Sequence, residues 1–268
     1  MISPGEIARL AHRLGLSDKT IEKDYVLTWV LLAIAHSPLR DRLAFKGGTA
    51  IKKIYEPDYR FSEDLDFTLL DDITNQDLAA AVEALFPGLH RKVNIVLGVR
   101  RKEIHETGNP TLYLNYVGPL RGDLGSRFLK IDFTRGELLL FPLGRALVQS
   151  PYSDCQGQRE PIGVYSPEEI LVEKLCALLG RTEPRDLYDI HYMLSHGLAD
   201  NDAVWFRLGE KMAHKGLDPA VLGNVLARKK STLDRLWEPR LRGQMRELPH
   251  LDMVIRETDR WLRQSGLM

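Results

Sequence analysis

From Ser17 onward, apolar residues Ile21, Tyr25, Val26, Trp29, Leu32 and Ala33 recur at helical spacing and predict one long helix to about Ala35. Its apolar run, residues 25–35, is shorter than the ~20 residues a bilayer span requires, so it predicts a buried helix. A short apolar segment, Leu43-Ala44-Phe45, then meets Gly47-Gly48-Thr49, and residues 50–55 read as helix up to Pro57. Residues 64–70 alternate as a strand, residues 75–86 as a helix, and residues 93–104, 111–117, 127–134 and 137–148 as β-rich runs. Beyond residue 165 the pattern turns helical, over 167–179, 184–194, 201–213, 219–227, 231–242 and 251–264. The expected organisation is an α+β domain over residues 1–163 and an all-helical domain over 164–268, with the boundary within 157–165.

Composition narrows the class. With 268 residues, 44% hydrophobic and 28% charged, the chain can bury a sizeable core, which excludes disorder and collagen-like structure. Lys plus Arg and Asp plus Glu both number 37; this rules out a globally basic coat and leaves room for a local basic face. Two cysteines, Cys155 and Cys176, make no disulfide framework and fit a reducing compartment. Residues 1–16 lack the apolar centre of a secretory signal, so a cytoplasmic protein without membrane contact is expected.

The chemistry concentrates in Gly47-Gly48-Thr49 and Asp64-x-Asp66. In a strand, residues i and i+2 share a face, so Asp64 and Asp66 present two carboxylates roughly 6–7 Å apart, with Leu65 and Phe67 on the apolar side. Two like charges so placed suit a hard cation; Mg²⁺ takes one or two carboxylates and completes its shell with water and phosphate oxygens. Asp132, in the alternating run Leu129-Lys130-Ile131-Asp132-Phe133, joins them if its strand pairs beside Asp64, about 4.8 Å away. Three carboxylates and two metals would serve in-line nucleotidyl transfer. The glycine pair allows close approach of an anion, Thr49 adds a hydroxyl, and Lys52 and Lys53 add positive charge. Taken singly, Gly-Gly is usually a turn and Asp-x-Asp a solvated strand edge; their order along the chain carries the functional reading.

The strings Phe45-Lys46-Gly47-Gly48-Thr49-Ala50 and Arg60-Phe61-Ser62-Glu63-Asp64-Leu65-Asp66-Phe67, with Ile21-Glu22-Lys23-Asp24-Tyr25 upstream, resemble the AbiEii/AbiGii toxin family of nucleotidyltransferases in the DNA polymerase β-like superfamily. Thr49 stands where the wider superfamily usually has serine. The resemblance implies a polymerase β-like domain, its mixed sheet flanked by helices, followed by a helical domain. It implies a Mg²⁺-dependent toxin of a type IV toxin–antitoxin or phage-defence system that moves nucleotides from NTP to RNA, tRNA 3′ ends among the targets. A cognate antitoxin acting indirectly is the implied partner, and a monomer is expected. Ser62 falls in the Arg-x-Ser-x-Asp-x-Asp pattern, either near the triphosphate or as a turn serine.

In the helical half, Ser166-Pro167-Glu168-Glu169 opens a helix whose apolar arc contains Lys174. A lysine on that side needs a charged partner: a triphosphate between the halves, or an aspartate. The resemblance places a nucleotide-binding lysine in Glu173-Lys174-Leu175 and makes Arg185-Asp186-Leu187-Tyr188-Asp189 the last shared motif, with Asp186 orienting Lys174 or the nucleotide. Catalysis is thus assigned to Asp64, Asp66, Asp132 and Lys174. Nucleotide binding is assigned to Gly47, Gly48, Thr49, Lys52, Ser62, Lys174 and Asp186, and metal binding to the three aspartates. Basic clusters at Arg91-Lys92, Arg100-Arg101-Lys102 and Arg228-Lys229-Lys230 either track RNA phosphates or are solvated surface. Trp237 and Trp261 read as core more readily than as base-stacking residues. The rival readings are a transferase with a small-molecule or protein acceptor and a non-catalytic NTP-binding module.

Overall fold

The computed structural model describes residues 1–157 and 159–264. It divides into two compact units, residues 1–137 with 143–164, and residues 138–142 with 165–268. Residue 158, inside the expected boundary segment, lies outside the described residues.

The first unit opens with α1 (Pro4–Leu14), capped by the Ser3 hydroxyl and closed by Gly15 in the left-handed region. Its pattern is short and charged, and the sequence reading passed over it. The predicted helix is α2 (Asp18–Ala35), capped by Ser17 and buried around most of its circumference. Strand β1 (Leu43–Lys46) runs into a single helical turn, α3 (Gly47–Ala50), which passes into a π-helical turn at Ile51–Tyr55. Then follow β2 (Asp64–Leu69), α4 (Asn75–Glu83) and α5 (Phe86–Val93). The β-run expected from residue 93 thus starts later, because Pro87 suits a helix's first turn and Asn94, at φ 55°, ends that helix. Strands β3 (Val96–Ile104), β4 (Pro110–Val117), β5 (Phe128–Thr134), β6 (Gly144–Ala146) and β7 (Ile162–Val164) complete the unit.

The strands form one mixed seven-stranded sheet in the order β3-β4-β5-β2-β1-β7-β6. Strand β2 is antiparallel to β1 and parallel to β5. The register aligns Phe45, Phe67 and Phe133 across β1, β2 and β5, with ring centroids 5.3 and 5.9 Å apart on the apolar face. One residue along, the same register aligns Lys46, Asp66 and Asp132 on the opposite face.

The second unit is helical: α6 (Pro167–Gly180), α7 (Pro184–Ser195), α8 (Asn201–His214), α9 (Val225–Leu241) and α10 (Leu251–Gln264). The two helices expected over 219–227 and 231–242 are instead a 3₁₀ stretch, Pro219–Asn224, and the single helix α9. Segment 138–142 is bound here by Glu169, which accepts the Leu140 and Phe141 N–H groups, and by Lys211, which donates to Leu138 O. Glu169 and Lys211 pair at 2.7 Å, fully buried. Among the described residues, no helix is long and apolar enough to cross a membrane.

Candidate active site

The site lies on the polar face of β1, β2 and β5. Asp64 and Asp66 share that face by alternation, Asp66 is abreast of Asp132 on the parallel strand β5, and Asp64 is abreast of Lys130. Gly47, at φ +76°, packs directly on Asp66: a Cβ there would come within 2.5 Å of Asp66 Oδ2. Only glycine fits, because both the positive φ and the crowding exclude a side chain. Thr49 donates to Asp64 O at 2.5 Å and so ties the turn back to β2.

Asp132 is held on both oxygens. Thr111 of β4 donates to Oδ1 at 2.6 Å, and Lys130 sits 2.6 Å from Oδ2. His105 Nε2 lies 2.9 Å from Thr111 Oγ1; since that hydroxyl donates its hydrogen bond to Asp132, Oγ1 accepts from Nε2–H. Burial works to lower the Lys130 pKa, but the hydrogen bond and charge of Asp132, together with the charge of Asp64, raise it on balance. Thr111 and His105 escaped the sequence reading because the β4–β5 register that brings them to Asp132 is not a local property.

Oxygen donors on a rigid sheet, with a glycine held against one of them, suit a hard divalent cation. Asp64 and Asp66, two residues apart on one face of β2, are the carboxylates that would hold one. Among the described residues no group of three or more His, Cys, Asp or Glu side chains is placed to hold a metal ion, so the three aspartates do not form a ready ligand set here.

The two lysines after the glycine pair are taken up by structure. Lys52 donates to the Pro57 and Tyr59 carbonyls at 2.9 and 2.7 Å, with its ammonium 4.0 Å from the centre of the Phe61 ring. Burial pushes its pKa down to about 8. Lys53 pairs with Asp24 at 2.6 Å, both fully buried, and Tyr152 OH donates to the same Asp24 oxygen. The π turn aims both lysines inward, and Gln149 caps it through the Lys53 and Ile54 carbonyls. Ser62 is half-buried in the loop before β2, where Arg60 is buried and donates to Phe61 O.

The upstream string on α2 proves to be a set of ties. Glu22 accepts from Arg127 and from the Leu120 N–H, Lys23 pairs with Glu63 at 3.3 Å, and Asp24 takes Lys53. Consecutive side chains thereby hold the loop before β5, the loop before β2 and the turn after β1.

In the second unit, Lys174 lies 2.9 Å from Asp186 and 2.8 Å from Asp189, and Arg181 donates to Asp186 at 2.7 Å. Burial works to raise the Asp186 pKa, but the charges and hydrogen bonds of Lys174 and Arg181 hold it well below the usual carboxylate range. Its contribution to stability is therefore complete above pH ~4 and is lost as acid protonates it. Wild-type stability, read as the urea midpoint, is expected to fall below pH ~4, and Asp186→Asn to flatten that fall. Of the basic clusters, Lys229 caps the end of α6 through the Leu178 and Arg181 carbonyls, and Lys230 pairs with Asp252. Trp237 is buried and donates to Pro249 O, so it packs in the core.

The glycine turn on the Asp-x-Asp strand, with Asp132 abreast, is the arrangement expected of a nucleotidyltransferase, and comparison with known proteins gives that class. The profile of the nucleotidyl transferase AbiEii toxins, described as a type IV toxin–antitoxin system, matches residues 29–264, and the chain belongs to that family. The fold is similar to that of MenT4, a nucleotidyltransferase toxin from Mycobacterium tuberculosis, at TM-score 0.71 and 19% identity over 99% of this chain and 90% of that one. It is also similar to JHP933 from Helicobacter pylori, at TM-score 0.58 and 18% identity over 93% of each chain. No curated protein matches the sequence. Membership of the family implies NTP as substrate and an antitoxin as partner.

Proposed function

We propose that this toxin carries out Mg²⁺-dependent transfer of a nucleotide from NTP to the 3′ end of an RNA, tRNA among the candidates. The observation that carries the reading is the alignment of Asp66 with Asp132 on adjacent parallel strands, with Gly47 seated on Asp66. Gly47, Gly48 and Thr49 hold the triphosphate on the β1 side. Asp64 and Asp66 would hold Mg²⁺, which when bound supplies charge stabilisation at the α-phosphate and the departing pyrophosphate. Asp132, steadied by Thr111, accepts the proton of the acceptor hydroxyl; the new O–Pα bond forms as the bond to the β-phosphate bridge breaks and pyrophosphate leaves. The family resemblance assigns Lys174 to the nucleotide, with Asp186 orienting it, and Lys174 pairs with Asp189 as well. Lys52 is withdrawn from this role, because its ammonium is committed to two backbone carbonyls.

The test is to incubate purified protein with total RNA, Mg²⁺ and each labelled NTP in turn. Label on RNA with release of pyrophosphate is expected. Label on protein or on a small molecule instead would redirect the acceptor assignment, and NTP binding without pyrophosphate release would defeat the enzymatic reading.

A further inference from the structure

We propose that the polar face of β5, β4 and β3 is the seat of the acceptor strand, where unpaired nucleotides beside an RNA 3′ end stack on Phe128 and Tyr113. This rests on the RNA reading above and adds where and how the RNA is held. In-line transfer puts the attacking hydroxyl and the leaving pyrophosphate on opposite sides of the α-phosphate. Gly47 follows β1, on one side of β2, so a triphosphate held there leaves the acceptor to approach over β5, on the other side. The rows of the sheet carry the face outward: Asp64 is abreast of Lys130, Lys130 of Tyr113, and Tyr113 of Arg101.

Phe128 lies one alternation before Lys130, its ring centroid 6.0 Å from that of Tyr113. It is 40% exposed on a strand whose other aromatic, Phe133, is in the core. Cations attend both rings: Arg100 at 4.7 Å and Lys23 at 5.8 Å from the Phe128 ring centre, and Arg101 at 4.2 Å from that of Tyr113. A bulge between Val99 and Arg101 aims Arg100 as well as Arg101 at this face. The ion pairs of Lys23 with Glu63 and Arg101 with Glu103 are exposed enough to exchange for phosphate at small cost. The exposed Phe128 ring and the half-buried Tyr113 ring, with guanidinium groups beside them, form a platform for unstacked bases, tolerant of sequence and closed to a paired duplex.

The experiment measures anisotropy of a short unpaired fluorescent RNA with the full chain and no NTP, and NTP affinity separately. Phe128→Ala is expected to weaken RNA binding about 10-fold, leaving NTP affinity and the melting midpoint unchanged. Phe128→Trp should bind RNA as wild type does, and Arg100→Ala should lower the slope of log affinity against log salt by about 0.7. Unchanged RNA affinity in Phe128→Ala, or a loss confined to NTP, overturns the platform. If wild type labels RNA while the Phe128 and Arg100 variants do so with unaltered KM for RNA, the platform alone fails. If wild type binds no RNA and labels another acceptor, a protein included, the RNA reading fails with it.

Discussion

Asp66→Asn protein is expected to fold as wild type does and to transfer nucleotide slower by on the order of 10³-fold or more, measured as pyrophosphate release. The substitution keeps the shape of a side chain against which Gly47 is packed, so the turn after β1 has no reason to move. It removes one of the negative charges gathered on this face, where Asp64 is two residues away and Asp132 is abreast. Lys46 stands abreast of Asp66 on β1, so the repulsion relieved and the attraction lost offset one another, and the melting midpoint is expected to change little. A melting midpoint near the wild-type value, with activity lost, would separate a chemical role from a structural one. Retained transfer would remove Asp66 from the mechanism.

Lys53→Met is expected to act in the opposite way, on folding first. Lys53 and Asp24 are 2% and 1% exposed, so losing the lysine strands a carboxylate in the interior. Breaking such a pair costs about 3–5 kcal/mol, enough to lower the melting midpoint by ~10 °C. Adding Asp24→Leu removes the stranded charge, and Tyr152 retains the Ile21 carbonyl as an acceptor at 3.1 Å. The double variant should therefore recover most of the loss, since a buried ion pair is often replaceable by apolar side chains. A double variant as unstable as Lys53→Met alone would show that the pair does more than satisfy itself.

Much of this was legible in the sequence where the signal is local. The strand parity of Asp64 and Asp66, the turn at Gly47 and the caps at Ser17 and Ser166 follow from neighbouring residues, and these elements stand where they were expected. Lys174 was expected to need a charged partner, and Asp186 and Asp189 supply it. What escaped depends on pairing at long range. Nothing near Thr111 says that its hydroxyl reaches Asp132, because that needs the antiparallel register of β4 on β5. The direction of Lys52 depends on a π turn that helical periodicity does not reveal. Glu22 and Asp24 give no local sign of burial, yet both are buried because their partners come from distant segments.

The alternation across β1, β2 and β5 has a consequence for how this enzyme can vary. Slippage of β2 by a single residue would exchange Phe67 for Asp66 or Thr68 in the interior and turn a benzyl group to the polar face. The three phenylalanines therefore act as an alignment key for the row of Lys46, Asp66 and Asp132 behind them. Reactive groups can be altered one at a time on a template that stays put, whereas an enlarged or shortened ring in the key disturbs chemistry it never touches.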